Sequence, residues 1–136
     1  MNEHGASAKL RKQLLAKGLV FHWKIHDPYA GGVPDHFIEG VNRDLWIESK
    51  HLKELPKKPS TIIDLCNEKK FLSLLQQEWL RRRDKKRHDC AVLVTCDDGT
   101  AALFLNRTWE IPYTTEDFRA KLQPFKDIVE QIVALT

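Results

Sequence analysis

The sequence predicts an α/β domain with its elements in the order helix, three strands, helix, strand, strand, helix. Three observations support that order. Apolar residues recur at helical spacing at the two ends and in the middle of the chain. Between those segments lie short runs rich in β-branched and aromatic residues. Gly, Pro and Asp-Gly turn signals separate the runs.

The first helix is expected from Glu3 to Lys17, with Leu10 and Leu14 as its apolar stripe and Gly18 as its stop. At about 100° per residue, Glu3 falls within about 20° of Leu10 and Leu14, on the core side. Asn2 as N-cap keeps Glu3 inside the helix; Ser7 as N-cap puts it outside. Leu19 to Ile25 reads as a strand with Leu19, Phe21, Trp23 and Ile25 on one side. His22 and Lys24 lie on the other, read as a solvated face. A loop from His26 to Gly32 ends in paired glycines, which let the backbone approach a phosphate or a neighbouring strand closely.

Next come Asp35-His36-Phe37-Ile38-Glu39, a turn over 40–43, and Leu45-Trp46-Ile47-Glu48-Ser49-Lys50. Pairing these runs as a hairpin brings Asp35 back beside Glu48 and Lys50, which share one strand face. Taken singly, an Asp after Pro is commonly a turn residue, and Glu-x-Lys on a strand is commonly a solvated face. Together, two carboxylates and an amine can hold a hard divalent cation and stabilise a developing phosphorane. A basic, poorly structured segment follows: His51, Lys53, Lys57 and Lys58, broken by Pro56 and Pro59.

The longest helix is expected from about Asn67 to Arg87, with Phe71, Leu72, Leu75 and Trp79 buried. It ends in Arg81, Arg82, Arg83, Lys85, Lys86, Arg87 and His88. Cations suit a helix C-terminus, but this run exceeds that need and reads as phosphate contact with little sequence content. Cys90 to Thr95 is a buried strand, Asp97-Asp98-Gly99-Thr100 a hairpin turn, and Ala101 to Leu105 the returning strand. Thr114 or Thr115 caps a last helix, Glu116 to Leu135, interrupted by Pro124.

Composition bounds the class. With 136 residues the chain is expected to be one domain, and its 42% hydrophobic and 30% charged residues are those of an ordinary globule. No apolar run approaches the roughly 20 residues of a membrane span, and the N-terminus lacks a signal pattern. Cys66, Cys90 and Cys96 read as free thiols, which with the missing signal suggests a cytoplasmic protein. A net charge of +3 leaves nucleic-acid binding to local patches.

Pro34-Asp35 followed by Glu48-x-Lys50 resembles the active site of the PD-(D/E)XK nuclease superfamily. Gly31-Gly32-Val33-Pro34-Asp35 before an apolar strand ending in Glu-x-Lys, with Gln76 three residues before Trp79, resembles its VRR-NUC (virus-type replication-repair nuclease) branch. The resemblance implies a restriction-endonuclease-like αβββαβ core with a mixed central sheet flanked by helices. It covers about residues 3 to 105, leaving 106–136 as a C-terminal helical extension of the single domain.

The resemblance also implies roles. Asp35, Glu48, the Ser49 carbonyl and Glu3 would bind Mg²⁺ or Mn²⁺, with no small-molecule cofactor. Lys50 would stabilise the transition state, and Gln76 would sit near the site. Lys24 or His26 would contact phosphate, with Lys53, Lys57, Lys58 and the Arg81–Arg87 cations along the DNA. The implied activity is endonucleolytic cleavage of branched DNA, Holliday junctions first, by a homodimer of phage or bacterial origin. A flap, nicking or restriction-type nuclease and a non-catalytic DNA-binding module are the alternatives.

Overall fold

In this computed structural model, which describes residues 2–18, 21–25 and 31–136, the first helix forms where its apolar stripe requires. The helix α1 (Glu3–Lys17) is capped by Asn2, whose side chain accepts from the Gly5 amide at 2.8 Å. It stops at Gly18 in the left-handed conformation. Asn2 is therefore the cap, and Ser7 lies buried within the helix, its hydroxyl 3.2 Å from His36 Nε2. Leu19 and Val20 of the expected first strand, and residues 26–30, where a loop is expected, lie outside the described residues.

Strands β1 (Phe21–Lys24), β2 (His36–Glu39) and β3 (Asp44–Leu52) pair antiparallel in sequence. β4 (Ile62–Ile63) and helix α2 (Leu74–Arg87) then lead to β5 (Cys90–Cys96), which lies parallel to β3. β6 (Thr100–Leu105) returns antiparallel. After a short 3₁₀ turn come β7 (Tyr113–Thr114), α3 (Thr115–Lys121), β8 (Gln123–Pro124) and α4 (Phe125–Leu135). The main sheet has the order β1-β2-β3-β5-β6-β8, while β4 and β7 form a separate two-stranded ladder. One face packs Ile38, Ile47 and Leu93 against Leu10 and Leu14 of α1 and Ile128, Val129 and Ile132 of α4. The other packs Val92, Val94 and Phe104 against Leu80, Trp109, Tyr113 and Phe118. No helix among the described residues is long and apolar enough to cross a membrane.

Four local expectations are corrected. The first concerns β1, which turns its polar side inward. His22 is buried and its Nε2 lies 2.7 Å from His36 Nδ1, while Phe21 and Trp23 are 60% and 55% exposed. The imidazoles partner one another, with Ser7 behind His36, while the buried His22 Nδ1 has no partner among the described residues. Burial first, and neighbouring cations after it, hold His22 down at about 4; burial holds His36 at about 3. Both rings are neutral at pH 7.

The second concerns α2, which starts at Leu74 rather than near Asn67 and, at 14 residues, is shorter than the 15-residue α1. Ser73 and Gln76 form a reciprocal capping box that fixes the start. Its buried residues are Leu80 and Asp84, whereas Leu75 is exposed and Trp79 half-buried.

The third is the connection after β3, which is structured. Ile63 and Leu65 are buried, β4 pairs with β7, and the Thr61 carbonyl accepts from both the amide and the hydroxyl of Thr115. The fourth is the last helix, which divides into α3 and α4 around β8, whose Pro124 sits at the sheet edge where a missing N–H costs nothing. The stretch from 106 to 136 thus contributes strands and core residues as well as helices. Its last residue, Thr136, accepts from the Asn42 and Arg43 amides and ties α4 to the β2–β3 turn.

Gly32 adopts φ +87°, and a side chain there would run into the Leu75 carbonyl at the start of α2. Gly18 shares the positive φ but faces open space. Gly18→Ala should therefore cost only the left-handed penalty, about 1 kcal/mol, whereas Gly32→Ala should cost about 2 kcal/mol or more because α2 must also move. Urea unfolding of the two variants measures the difference; equal losses would mean that α2 does not depend on the close approach.

Candidate active site

The hairpin register sets the site. His36 pairs with Ile47, so Asp35, one residue earlier, comes opposite Glu48. Asp35 Oδ2 accepts from the Ser49 amide at 3.0 Å, which locks its carboxylate against β3. Glu48 and Lys50 share a face, with Lys50 Nζ 3.8 Å from Glu48 Oε1. Because Asn2 rather than Ser7 caps α1, Glu3 stays in the first helical turn. There its carboxylate joins those of Asp35 and Glu48, with ligand oxygens all within 4.8 Å of one another.

Glu48 is 1% exposed. Burial, and then the neighbouring Asp35 charge, push its carboxyl up to about 9, against the opposing pull of Lys50. Gln76 donates from Nε2 to Glu48 Oε1 at 2.8 Å, while its Oε1 accepts from the Ser73 amide in the capping box. Glu48 Oε2 is buried with no hydrogen-bond partner among the described residues. This buried carboxyl sits beside two further carboxylates, those of Glu3 and Asp35. Three hard oxygen donors, one of them orphaned, fit a divalent cation such as Mg²⁺ or Mn²⁺.

Lys24 lies 3.6 Å from Asp35 Oδ1 and so faces the cluster's edge. His26 lies outside the described residues. Ser49 is buried, and the backbone group seen to meet the cluster is its amide. The helical cations divide. Arg81 pairs with Glu110, and Arg83 makes a two-pronged pair with Asp89 while lying over the Trp46 ring. Arg82 lies over Trp79. Lys85, Lys86 and Arg87 are exposed and, like Lys53, Lys57 and Lys58, make no ion pair among the described residues.

Two features were not read from the sequence. One is the His22–His36–Ser7 core network, whose signal was a histidine on an otherwise alternating strand. The other is His51, whose Nδ1 is 2.8 Å from Thr95 Oγ1 and whose Nε2 is 2.6 Å from Asp97 Oδ1. That contact occupies Asp97, while Asp98 accepts from the amide and hydroxyl of Thr100, so both aspartates serve the turn.

No family model matches the chain, and no curated protein matches it. Solved structures do. The chain is similar to Hjc from Archaeoglobus fulgidus, a Holliday junction resolvase from an archaeal hyperthermophile, with a TM-score of 0.51 and 16% identity. The similarity covers 87% of this chain and 97% of that one. The chain has the restriction-endonuclease-like fold, with a six-stranded mixed sheet flanked by helices.

The raised Glu48 carboxyl has a signed consequence. Between its unfolded value near 4.5 and its folded value near 9, the folded chain holds the extra proton. Stability of the metal-free protein should therefore fall as pH rises through that window, at up to about 1.4 kcal/mol per unit from this group. Glu48→Gln should remove that component. Denaturation in EDTA from pH 5 to 9 compares the two; parallel curves would show that Glu48 is not the group responsible.

Proposed function

We propose that the chain is a divalent-metal-dependent endodeoxyribonuclease of the PD-(D/E)XK superfamily, in its VRR-NUC branch, acting on branched DNA in the manner of a Holliday junction resolvase. The observation that carries the reading is the buried Glu48 carboxylate. It is gathered with Glu3 and Asp35, faces Lys50, and holds one orphaned oxygen. A non-catalytic DNA-binding module would need the basic patches but has no use for a desolvated acid of this kind. The fold shared with a Holliday junction resolvase supports a nuclease reading; flap, nicking or restriction-type cleavage on the same site is the alternative.

Glu3, Asp35, Glu48 and the Ser49 carbonyl would hold Mg²⁺ or Mn²⁺. When bound, the ion supplies Lewis-acid activation of water and charge neutralisation at phosphate. The chain's own part is positional. The Ser49 amide orients Asp35, and Gln76 fixes the rotamer of Glu48. Lys50 places a fixed positive charge where negative charge develops on the phosphate. Lys24, Lys53, Lys57, Lys58, Lys85, Lys86 and Arg87 would contact the DNA backbone, with Arg81, Arg82 and Arg83 partly engaged within the protein. Symmetric cutting of two strands calls for a homodimer, and the site belongs to one domain spanning 1–136. A bacterial or phage-infected cytoplasm suits such an enzyme.

Labelled four-way junction, flap and linear duplex DNA, incubated with Mg²⁺, Mn²⁺ or EDTA, tests the activity. Paired metal-dependent nicks in the junction are expected, with Asp35→Ala and Lys50→Ala each lowering the rate at least about 100-fold. Junction binding without cleavage in either metal would leave only a binding module. Metal binding itself should release about one proton at pH 7, because Glu48 is protonated beforehand and a ligand must be ionised. Calorimetry in buffers of different ionisation enthalpy reads that proton, and Glu48→Gln should abolish its release.

A further inference from the structure

Beyond Lys50, β3 continues to Leu52 on the same face, about 7 Å further along the strand. There a cavity of about 150 Å³ opens between β3, β4 and the 67–71 segment that precedes α2, its walls including Leu52, Ile62, Ile63 and Phe71 and its rim Asn67 and Lys70. We propose that this cavity is a pocket for a single unstacked nucleobase of the DNA strand being cut. The proposal rests on the nuclease reading and adds a determinant of which DNA that site accepts.

Size is the first argument. Pockets for drug-sized ligands run to about 300–1,000 Å³, whereas an apolar cavity of about 150 Å³ holds one six-membered aromatic ring. Chemistry is the second. Leu52, Pro56, Ile62, Ile63 and the half-buried aromatic Phe71 give apolar walls that suit the face of a base, while Thr61 and Asp64 add polar groups to the lining, Asp64 Oδ1 accepting from the Cys66 amide. The rim offers hydrogen-bonding groups for a base edge. Asn67 Oδ1 accepts from the Lys69 amide, and its side-chain NH₂ has no partner among the described residues. Ile62 is 56% exposed, so the wall it forms is available.

Preorganisation is the third argument. The connection carrying Ile62 and Ile63 is held to α3 by the two bonds from Thr115 to the Thr61 carbonyl and by the Glu116 amide on the Pro59 carbonyl. The pocket is therefore formed before a ligand arrives. Charge is the fourth. Lys57 and Lys58, on the same connection, are exposed cations without an ion-pair partner among the described residues, suited to the backbone of the strand whose base enters. A branched substrate presents bases that are already unpaired or weakly stacked, so the cost of unstacking is lowest there. The pocket would then favour cleavage next to a branch point.

The test uses the full chain and a four-way junction carrying 2-aminopurine singly beside each pyrimidine within three nucleotides of the branch, where it reports loss of stacking by that pyrimidine, the base of a size to enter the cavity. Fluorescence is read in EDTA, where binding proceeds without cleavage. Wild type should change the emission at least about two-fold at one position. Ile62→Glu, which alters a wall residue that is already 56% exposed, should bind the junction but lose that change. In Mg²⁺, an abasic nucleotide in place of the pyrimidine beside the responding 2-aminopurine should slow wild-type cleavage about tenfold and make wild type and Phe71→Ala equal. No responsive position, or an unchanged response in Ile62→Glu, would overturn the pocket, as would abasic DNA cut at the normal rate. Cleavage with silent 2-aminopurine refutes the pocket alone. A fluorescence response without cleavage in any metal refutes the nuclease reading and retains the pocket.

Discussion

The structure turns on one unfavourable placement, a carboxylate almost wholly removed from water. Glu48 sits in β3, between a strand that pairs antiparallel and one that pairs parallel, under the first turn of α2. Desolvation alone would expel an ionised carboxylate or keep it protonated. The surrounding groups do not relieve that burden within the protein. Asp35 and Glu3 add like charge, Lys50 offsets only part, and Oε2 has no donor. Such an arrangement is stable as a neutral acid and becomes stable as an anion when a cation joins it. In the proposed nuclease a divalent cation would supply that charge.

A chain of short contacts positions that acid. The Gly31-Gly32 turn approaches the α2 N-terminus so closely that a side chain at 32 would strike the Leu75 carbonyl. That approach sets where Gln76 falls. The capping box then fixes the orientation of the Gln76 amide: its oxygen is taken by the Ser73 amide, so its nitrogen is the end left to meet Glu48. Either Glu or Gln can close a capping box, but only Gln can also donate to a carboxylate. A Glu at this position would cap the helix and repel the site. The residue type at 76 therefore follows from two demands met by opposite ends of one side chain.

The hairpin that carries the site was legible because it is local. Its turn, its alternation and its register follow from residues within a few positions of one another. Glu3 was legible for a similar reason, since helical geometry puts it on the face of Leu10 and Leu14. The orientation of β1 was not, because it depends on a His22–His36 contact across two strands that alternation alone reads as polar against apolar. The start of α2 was legible in principle: the Ser73-x-x-Gln76 capping box was present, and the apolar residues at Phe71 and Leu72 drew the expected boundary too early. The order in 59–65 was beyond local reading, since its partners, Tyr113, Thr114 and Thr115, lie some fifty residues on and carry no period. Pro124 marked the break in the last helix, but its conversion to an edge strand needed Thr100 beside it.

The cationic run on α2 shows why a charge count overstates a binding surface. Arg83 is committed to Asp89 and Arg81 to Glu110, so these residues fasten α2 to the start of β5 and to the 3₁₀ turn. The Arg81 pair is about half exposed and adds little stability, yet it still neutralises a charge otherwise available to phosphate. What remains of the run is Lys85, Lys86 and Arg87 at the helix end, exposed and, like Lys53, Lys57 and Lys58, without an ion pair among the described residues. In the proposed nuclease, each phosphate contacted by such a cation adds about 0.9 to the salt dependence of binding, and none reads sequence. With a net charge of only +3, such phosphate contacts would hold a duplex without sequence preference. In the proposed nuclease, selection of substrate would then fall to shape at the site, where Glu48, Lys50 and the cavity at Leu52 follow one another along a single strand.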